Sequence, residues 1–322
     1  MCKTARALYV KQLKNIIRRE NGAAQPTILP YDALVNPSPT QYLADIERAL
    51  DAYSKSPADP EPALWRAMRY SLLLPGKRLR PLLTLLACEA CGGNPTEALP
   101  AACAIEMVHC FSLIHDDLPA MDDDDLRRGQ PTNHKVFGEA QAILAGDALL
   151  AHAFATITHM QSAETVRECT RELAHATGPS GMCLGQSLDM GREKPTTLDE
   201  LAFLHCHKTG ALILCAVRMG GIVAGANNTK MTALTRYGEA LGLAFQITDD
   251  LLDATGDKDA AGKHVGKDKD AGKVTYPLLI GVDESKKRAK ASIDEAVAAM
   301  AIFRAEAEPL REIALALADR RK

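Results

Sequence analysis

Long runs rich in alanine and leucine follow one another along most of the chain, beginning near residue 40. Period-two alternation of β-branched residues is scarce and aromatic residues make up only 4% of the chain, so few strands are expected. Clusters of glycine and proline, such as Pro75-Gly76 and Gly178-Pro179, separate the runs and predict where helices end. The pattern therefore predicts an all-α fold. The predicted helices span 63–74, 82–91, 98–115, 139–160, 165–176, 198–226 and 231–254.

The first 37 residues differ from the rest of the chain. Six lysines and arginines precede the first acidic residue, Glu20, and prolines then interrupt the chain at Pro26, Pro30 and Pro37. This composition predicts a flexible, basic, proline-containing arm over residues 1–37, followed by a single domain over residues 38–322. A transit peptide and a weak interfacial helix are the alternatives for the arm.

Composition argues against several classes of function. The 322 residues carry a net charge of −3, whereas a general nucleic-acid binder needs a dominant basic face. Asp147 interrupts the longest apolar candidate, over 140–157, so no membrane span is expected. Nine cysteines without a secretory signal predict reduced thiols and a cytoplasmic location. Cys88 and Cys91 form a CxxC pair, but no second pair completes a zinc site.

An acidic cluster follows the apolar run over 101–114. Asp116 and Asp117 come directly at the end of that run, and Pro119 predicts that the helix ends or kinks just beyond them. On a straight helix Asp122 would point away from Asp116, but a break at the proline can bring it back to the same side. An acidic run is usually a solvated loop, whereas carboxylates that end an apolar helix are candidates for a site.

A second acidic cluster ends the predicted helix over 231–254. Asp249 and Asp253 are four residues apart and share one helix face, with Asp250 beside them. Three carboxylates on one face repel each other unless a cation or a basic partner lies between them. Because Mg²⁺ binds one or two carboxylates together with phosphate oxygens and water, two such clusters facing one cavity would suit a magnesium-bound diphosphate.

Basic residues lie near both acidic clusters, as a diphosphate site requires. The segment GKRLRP, over 76–81, is a tight turn that opens a helix, and helix N-termini and arginine clusters both bind phosphate. Any single lysine is more often a solvated charge, so it is the grouping that favours a site. The other members of the group are Arg127, Arg128, Lys208, Lys263, Lys267 and Lys273.

These motifs, in this order, resemble those of the trans-isoprenyl diphosphate synthases, and among them the bacterial-type farnesyl diphosphate synthases. The resemblance runs from about residue 40 to the end of the chain. It implies the isoprenoid synthase type I fold, a bundle of long helices around a central cavity, and a homodimer. The matching segments are GKRLRP (76–81), HCFSLIHDDLPAMDDDDLRRG (109–129), FGEAQAILAGDAL (137–149), GMCLGQSLDM (181–190), HKTGALI (207–213), FQITDDLLDATGD (245–257) and GKVTYP (272–277).

The resemblance also implies roles for individual residues. About three magnesium ions are expected, and Mn²⁺ is expected to substitute for them. The expected ligands are Asp116, Asp117, Asp122, Asp249, Asp250 and Asp253. Isopentenyl diphosphate is expected on Lys77, Arg80, His109 and Arg128. The allylic diphosphate is expected on Arg127, Lys208, Thr209, Gln246, Lys263 and Lys273, beside the polar pair Gln186 and Asp189. Catalysis is expected to depend on Asp116, Asp117, Asp122, Arg127, Lys208, Asp249, Asp250 and Lys263.

The implied activity is a magnesium-dependent condensation of isopentenyl diphosphate with dimethylallyl and then geranyl diphosphate, giving (2E,6E)-farnesyl diphosphate. Phe111 lies five residues before Asp116, about 7.5 Å deeper along the helix. In the family, a bulky residue there, together with the two-residue insertion at Pro119-Ala120, is associated with a C15 product. If Phe111 were only a core residue, the product length would stay undecided.

Several other functions are alternatives on the sequence alone. A geranylgeranyl or geranyl diphosphate synthase differs only in product length. His115-Asp116 is also an HD pair, as in metal-dependent phosphohydrolases, but such an enzyme would need neither the second acidic cluster nor the GKRLRP turn. A catalytically silent synthase subunit typically loses one aspartate motif. A terpene cyclase shares the fold but seldom keeps the isopentenyl-binding cations.

Overall fold

Helices account for nearly all of the regular structure, which confirms the predicted all-α fold. The computed structural model describes residues 39–255 and 273–318, so the predicted arm over 1–37 and the predicted site residue Lys263 lie outside the described residues. The α-helices of the described residues are α1 (Pro39–Tyr53), α2 (Ala63–Leu72), α3 (Leu79–Ala90), α4 (Leu99–Asp116), α5 (Asn133–Phe137), α6 (Glu139–Ile157), α7 (Ala163–Thr177), α8 (Met182–Met190), α9 (Leu198–His205), α10 (Ala211–Val223), α11 (Asn228–Thr255), α12 (Tyr276–Ile280), α13 (Val282–Ala299) and α14 (Glu308–Ala318).

Shorter elements join some of these helices. Strands β1 (Leu126–Arg127) and β2 (Gln130–Pro131) form an antiparallel hairpin, and a π-helical turn, Cys206–Gly210, joins α9 to α10. The prediction of one uninterrupted helix over 198–226 was therefore wrong at this turn, because an apolar run does not reveal a local change of helical pitch. Single 3₁₀ turns lie at Pro95–Ala98, Met300–Ile302 and Ala305–Ala307.

The described residues divide into two compact units, 39–85 with 96–170 and 86–95 with 171–255 and 273–318. In the first unit, α4 packs against α1, α2 and α6. Side chains on almost every face of α4 are buried, and Ile105 and Met107 are fully so. A helix that is apolar all round is stable only inside a core, so α4 is the central helix of this unit. The predicted single domain over 38–322 stays a prediction.

In the second unit, α11 packs against α10, α12, α13 and α14. Leu201, Ile247, Tyr276 and Ala289, from four different helices, form one buried cluster. Tyr237 is fully buried, and its hydroxyl donates to the carbonyl of Leu310 at 2.7 Å, so the polar end of the ring is satisfied. Packing around Ile247 fixes the last turns of α11, which carry the second acidic cluster.

By length and composition alone, three helical segments of the described residues would be able to cross a membrane. They are Pro95–Asp116, Glu139–Ile157 and Leu198–Val223, whose most apolar windows are 72%, 39% and 50% buried inside the protein. Glu139–Ile157, which is α6, thus keeps most of an apolar surface uncovered. The absence of a membrane span stays a prediction.

Candidate active site

The first acidic cluster ends α4 and then turns back on itself. The chain reverses after Pro119, so that the amide of Asp122 donates to the carbonyl of Asp116 at 2.8 Å. The amide of Asp123 donates to the carbonyl of Leu118 at 3.2 Å, and Asp123 has a left-handed φ of +50°. These bonds confirm, for the backbone, the predicted return of Asp122 toward Asp116.

Asp117 is buried and paired with an arginine. It is 3% exposed, and its Oδ1 accepts hydrogen bonds from Arg127, from Nε at 3.0 Å and also from Nη2. Nη2 of Arg127 also lies 3.5 Å from Oδ2 of Asp124. Burial raises the pKa of Asp117, and the guanidinium of Arg127 opposes that rise. Two residues that the sequence predicted for separate roles, metal and diphosphate binding, thus form an ion pair.

A tight hairpin presents Arg127 and Arg128. Its two-residue turn consists of Arg128 and Gly129, with φ of +55° and +76°, the left-handed backbone that such turns require. The guanidinium of Arg128 lies against Gly76, where a Cβ would stand only 2.6 Å from Nη1. Glycine at this position therefore lets Arg128 reach the GKRLRP turn.

A cleft in the first unit gathers several predicted site residues. His109 is half-buried on α4. Burial and the charges of nearby arginines, Arg80 and Arg128 above all, lower the pKa of His109 well below its ordinary value. Its imidazole is therefore neutral at neutral pH and offers one hydrogen-bond donor and one acceptor. The cleft is lined by, among others, Arg78, Glu106, His109, Asp117, Arg127 and Arg128.

Phe111 is a buried residue of α4, only 7% exposed. Its ring meets the ring of His115 edge-on, with the centroids 5.5 Å apart. His115 in turn contacts the carbonyl of Ile143 on α6 through Nε2, at 3.1 Å. Successive helical residues point about 100° apart, so Phe111 points away from the face of α4 that His109 and Asp117 present to the cleft.

The π-helical turn carries Lys208 and Thr209 in the second unit. Gly185 of α8 lies directly against it, and a Cβ there would stand 2.1 Å from the amide nitrogen of Lys208. This close approach lets Nζ of Lys208 donate to Oδ2 of Asp189 at 2.5 Å, while Nζ of Lys273 lies 3.8 Å from the same oxygen. Burial alone would raise the pKa of Asp189, but the two ammonium groups outweigh burial and hold it below its ordinary value.

A chain of hydrogen bonds connects Thr209 with the second acidic cluster. The hydroxyl of Thr209 donates to Oε1 of Gln246 at 2.8 Å, and Nε2 of Gln246 donates to Oδ1 of Asp250 at 3.0 Å. Oδ2 of Asp250 accepts from the amide of Tyr276 at 3.0 Å, and Nε2 of His205 lies 3.4 Å away without hydrogen-bond geometry. Asp250 is 2% exposed, so both of its oxygens are satisfied within the protein.

The remaining predicted residues of the second unit lie close to these groups. Asp249 and Asp253 are half-buried in the last two turns of α11, as the sequence predicts. Gln186 is three residues before Asp189 on α8. Its Oε1 and Nε2 are both buried without a hydrogen-bond partner in the part of the chain that the structure describes. An amide with both ends unsatisfied is available to a bound ligand.

Among the described residues, no three His, Cys, Asp or Glu side chains stand together as a metal site. The donors at both clusters are nevertheless carboxylates, the hard oxygen ligands that Mg²⁺ prefers, so their chemistry fits this ion. To bind the metal, Asp117 would have to release its ion pair with Arg127. Asp250 would have to release its hydrogen bonds with Gln246 and Tyr276.

Sequence reasoning missed four residues of these networks, because their roles depend on contacts between distant parts of the chain. The signal for two of them was visible, since Arg78 belongs to the GKRLRP motif and Tyr276 to the GKVTYP motif. Glu106 and His205 looked like ordinary residues of apolar helices. The missed residues are Arg78, Glu106, His205 and Tyr276.

Known proteins provide a direct comparison. Residues 61–309 match the family model described as polyprenyl synthetase. The chain is 48% identical over 257 residues to the farnesyl diphosphate synthase of Geobacillus stearothermophilus, covering 78% of this chain and 86% of that one. It is also 48% identical over 256 residues to a geranylgeranyl diphosphate synthase of Cyanophora paradoxa, covering 78% and 85%. The crystal structure of an FPP/GFPP synthase from Zymomonas mobilis superposes with a TM-score of 0.76 at 38% identity, over 86% of this chain and 95% of that one.

The family match spans most of the chain, and the structural match includes the helical framework that carries the clusters described above. Both confirm the resemblance that the motifs indicated. Equal identity to synthases with different products leaves the product length undecided. The chain belongs to the polyprenyl synthetase family, with the isoprenoid synthase fold, and is a trans-prenyltransferase of isoprenoid biosynthesis.

Proposed function

We propose that this prenyltransferase condenses isopentenyl diphosphate with dimethylallyl diphosphate and then with geranyl diphosphate, and stops at (2E,6E)-farnesyl diphosphate. The proposed product length rests on the position of Phe111, a buried aromatic residue five positions before Asp116 on α4. Phe111 points away from the cleft, toward His115, so a prenyl chain that runs from the cleft past His115 would meet its ring, which would block a chain longer than C15. The 48% identity to a farnesyl diphosphate synthase supports the condensation but not its end point, because the identity to a geranylgeranyl diphosphate synthase is equal.

The proposed reaction begins when the C1–O bond of the allylic diphosphate breaks and its electron pair leaves with diphosphate. C4 of isopentenyl diphosphate then forms a bond to C1 of the allylic cation, and the departing diphosphate takes a proton from C2. Arg127, Lys208 and Lys273 would stabilise the charge that develops on the leaving group. The apolar helices around the site would exclude water, which would otherwise quench the cation.

Isopentenyl diphosphate would bind to cations of the first unit. The cleft described above presents Arg128 and the neutral His109, which together offer a charged and an uncharged hydrogen-bond donor to a diphosphate. Lys77 and Arg80, on the turn that begins α3, would complete this site.

Magnesium is proposed as the cofactor, on chemical grounds. Bound Mg²⁺ would supply positive charge to the diphosphate and so favour its departure. About three ions are proposed, and Mn²⁺ would substitute, since it accepts the same oxygen ligands. The proposed ligands are Asp116, Asp117, Asp122, Asp249, Asp250 and Asp253.

A homodimer is proposed for the assembly. The outer face of α6 is apolar, and Ile143 and Leu144 on it are 45% and 53% exposed. A long apolar helix face left open to water is typical of a surface that another protein covers. The family resemblance favours a second copy of this chain as that protein.

The proposal is tested by incubating the purified protein with isopentenyl and dimethylallyl diphosphates and Mg²⁺, and sizing the products by chromatography. A dominant C15 product supports it. A dominant C20 product would make the enzyme a geranylgeranyl diphosphate synthase, the second candidate, which the equal identity to such a synthase favours. Release of phosphate without any new carbon–carbon bond would contradict both.

A further inference from the structure

The side chain of Arg78 points into the protein, although it lies between the two proposed substrate-binding cations of the GKRLRP turn. It is 3% exposed. Nε donates to Oε1 of Glu47 at 2.7 Å, and Nη1 donates to Oε1 of Glu106 at 2.8 Å. Nη2 donates to the carbonyl of Leu74 at 2.9 Å. One guanidinium therefore connects α1, α4 and the backbone just before the turn.

The backbone of Arg78 is in an uncommon conformation. Its φ is +47°, in the left-handed region that residues with a Cβ seldom adopt. Its carbonyl accepts the amide of Leu82 at 3.0 Å, a first-turn hydrogen bond of α3. A left-handed arginine persists only where surrounding contacts hold it, and here those contacts are the buried bonds of its guanidinium. The directions in which the neighbouring Lys77 and Arg80 leave the turn depend on this conformation.

The contacts of Arg78 also help to fix the position of the Arg128 side chain. The Leu74 carbonyl that accepts from Arg78 is approached by Nη1 of Arg128 at 3.4 Å. The guanidinium of Arg128 then lies against Gly76, two residues before Arg78. Arg78, Glu106, His109 and Arg128 line one cleft, so a displaced turn would disturb the proposed isopentenyl site from several sides.

We propose that Arg78 is a positioning residue for isopentenyl diphosphate. Through Glu47 and Glu106 it fixes the left-handed turn that orients Lys77 and Arg80. It binds no phosphate itself, because Nε, Nη1 and Nη2 are all bonded to protein oxygens. The inference rests on the proposed function, because that function assigns the substrate. Lysine cannot take over this role, since one ammonium group lacks the planar fork that reaches two carboxylates and a carbonyl together.

Two variants and one matched control test the proposal. Arg78→Lys keeps the charge and loses the fork. Glu47→Gln weakens the same contact from its outer end, and because the side chain of Glu47 is 44% exposed this variant should fold. The control is Asp51→Asn, one turn further along α1. Asp51 accepts from Nη2 of Arg69 at 2.7 Å, an equivalent ion pair between helices that has no part in the cleft.

Steady-state kinetics with each substrate varied in turn, and calorimetric titration of isopentenyl diphosphate alone, give the readout. We expect the KM and the dissociation constant for isopentenyl diphosphate to rise about tenfold in Arg78→Lys and by a smaller factor in Glu47→Gln, as displaced binding groups would cause. The KM for the allylic substrate should change by less than about twofold. Asp51→Asn should lower the midpoint of thermal unfolding and leave both KM values unchanged.

Wild-type affinity for isopentenyl diphosphate in both variants would overturn the role of Arg78. So would equal rises in both KM values, or an isopentenyl-selective loss in Asp51→Asn, because either would indicate a general structural effect. Failure of the proposed function gives a different result. In that case the unaltered protein forms no carbon–carbon bond, whatever residue stands at position 78.

Discussion

His109 lies on the half-buried face of α4 next to a group of arginines. Burial and these positive charges act in the same direction, so the histidine is neutral in the folded protein at pH values where an exposed one would be protonated. Neutral imidazole adds no charge to a cleft that already contains Arg78, Arg127 and Arg128. Its contribution to a site for an anion is therefore directional hydrogen bonding.

The neutral His109 makes stability depend on pH. Its pKa is lowered in the folded state, so below the ordinary histidine value of about 6.5 the unfolded chain binds a proton that the folded chain does not. Stability should fall as pH decreases through this window, with a slope for this residue of at most about 1.4 kcal/mol per pH unit. Urea unfolding at pH 7.5 and 5.5 measures it. In His109→Gln the free energy of unfolding should fall less between these two pH values than in the wild-type protein. In His175→Gln, at an exposed position, it should fall as much as in the wild type. Equal pH dependence in all three proteins would contradict the neutral state of His109.

The proposed product length depends on one side chain, that of Phe111. Phe111→Ala should extend the products toward C20, because a smaller residue gives the growing chain more room, and should destabilise the fold by about 3–5 kcal/mol. Product chromatography with the matched variant Phe111→Tyr, which keeps the ring, separates the two effects. An unchanged C15 profile in Phe111→Ala would refute the proposed role.

At the scale of secondary-structure elements, the π-helical turn between α9 and α10 is the feature that brings Lys208 and Thr209 to their partners. A regular helix through Cys206–Gly210 would rotate these side chains away from Asp189 and Gln246. The turn packs so close to Gly185 that only glycine, which has no Cβ, fits at this position. The π-helical turn and α8, which are separate in sequence, therefore have complementary surfaces at Gly185.

Gly185→Ala tests this packing. The new Cβ would stand 2.1 Å from the amide nitrogen of Lys208, so the backbone of the turn would have to move. We expect kcat/KM to fall by roughly 100-fold and thermal stability to decrease. Ser187→Ala, at an exposed position of the same helix, provides the control for changes on α8. Normal kinetics in Gly185→Ala would show that the turn tolerates displacement.

How far the sequence predicts these elements depends on the range of the interactions that form them. The apolar runs locate α4, α6 and α11 to within a few residues, because burial on most faces leaves a continuous pattern. The local spacing of Asp249 and Asp253 also predicts their shared helix face. The partners of Asp250 could not be predicted, since one of them is a backbone amide 26 residues further along the chain.

The sequence also could not predict that the side chain of Arg78 points into the protein. The run Lys77-Arg78-Leu79-Arg80 shows three cations in sequence, and nothing in it distinguishes the one that turns toward Glu106 from the two that flank it. Lys208 was predicted to lie within one uninterrupted helix over 198–226, and only the structure reveals the π-helical turn. Helix positions thus follow from local patterns, whereas the pairing of charges follows from tertiary packing.

At the scale of the whole molecule, each of the two units carries one acidic cluster. Asp116, Asp117 and Asp122 belong to the first unit, and Asp249, Asp250 and Asp253 belong to the second. Each cluster lies among basic or polar groups of its own unit, Arg127 for Asp117 and Gln246 for Asp250. None of the eight cysteines of the described residues forms a disulfide bond. A cytoplasmic location stays a prediction.

Removal of divalent metal tests the proposed cofactor. Turnover should be lost in excess EDTA and return on addition of Mg²⁺. Circular dichroism should stay unchanged, because Asp117 and Asp250, the buried proposed ligands, are already paired within the protein. Asp116→Asn should reduce kcat by at least about 100-fold. Asp123→Asn, at an exposed position in the same loop, should not. Full activity in EDTA would contradict the proposed use of metal.

The proposed homodimer can be tested through α6. Light scattering after size exclusion should give twice the chain mass of 34.7 kDa. Leu144→Glu should produce the monomer, because it places a charge in the middle of a buried apolar interface. Leu315→Glu, at a similarly exposed leucine on α14, should stay dimeric. A monomeric wild-type protein would refute the assembly.

Asp189 has a consequence for the selection of ligands. Before any substrate arrives, Lys208 and Lys273 already share the negative charge of this side chain. An incoming anion must therefore compete with an internal carboxylate, and a singly charged species gains little by displacing it. A diphosphate carries more charge than the group that it replaces, so the lysines favour it over monoanions that are abundant in solution.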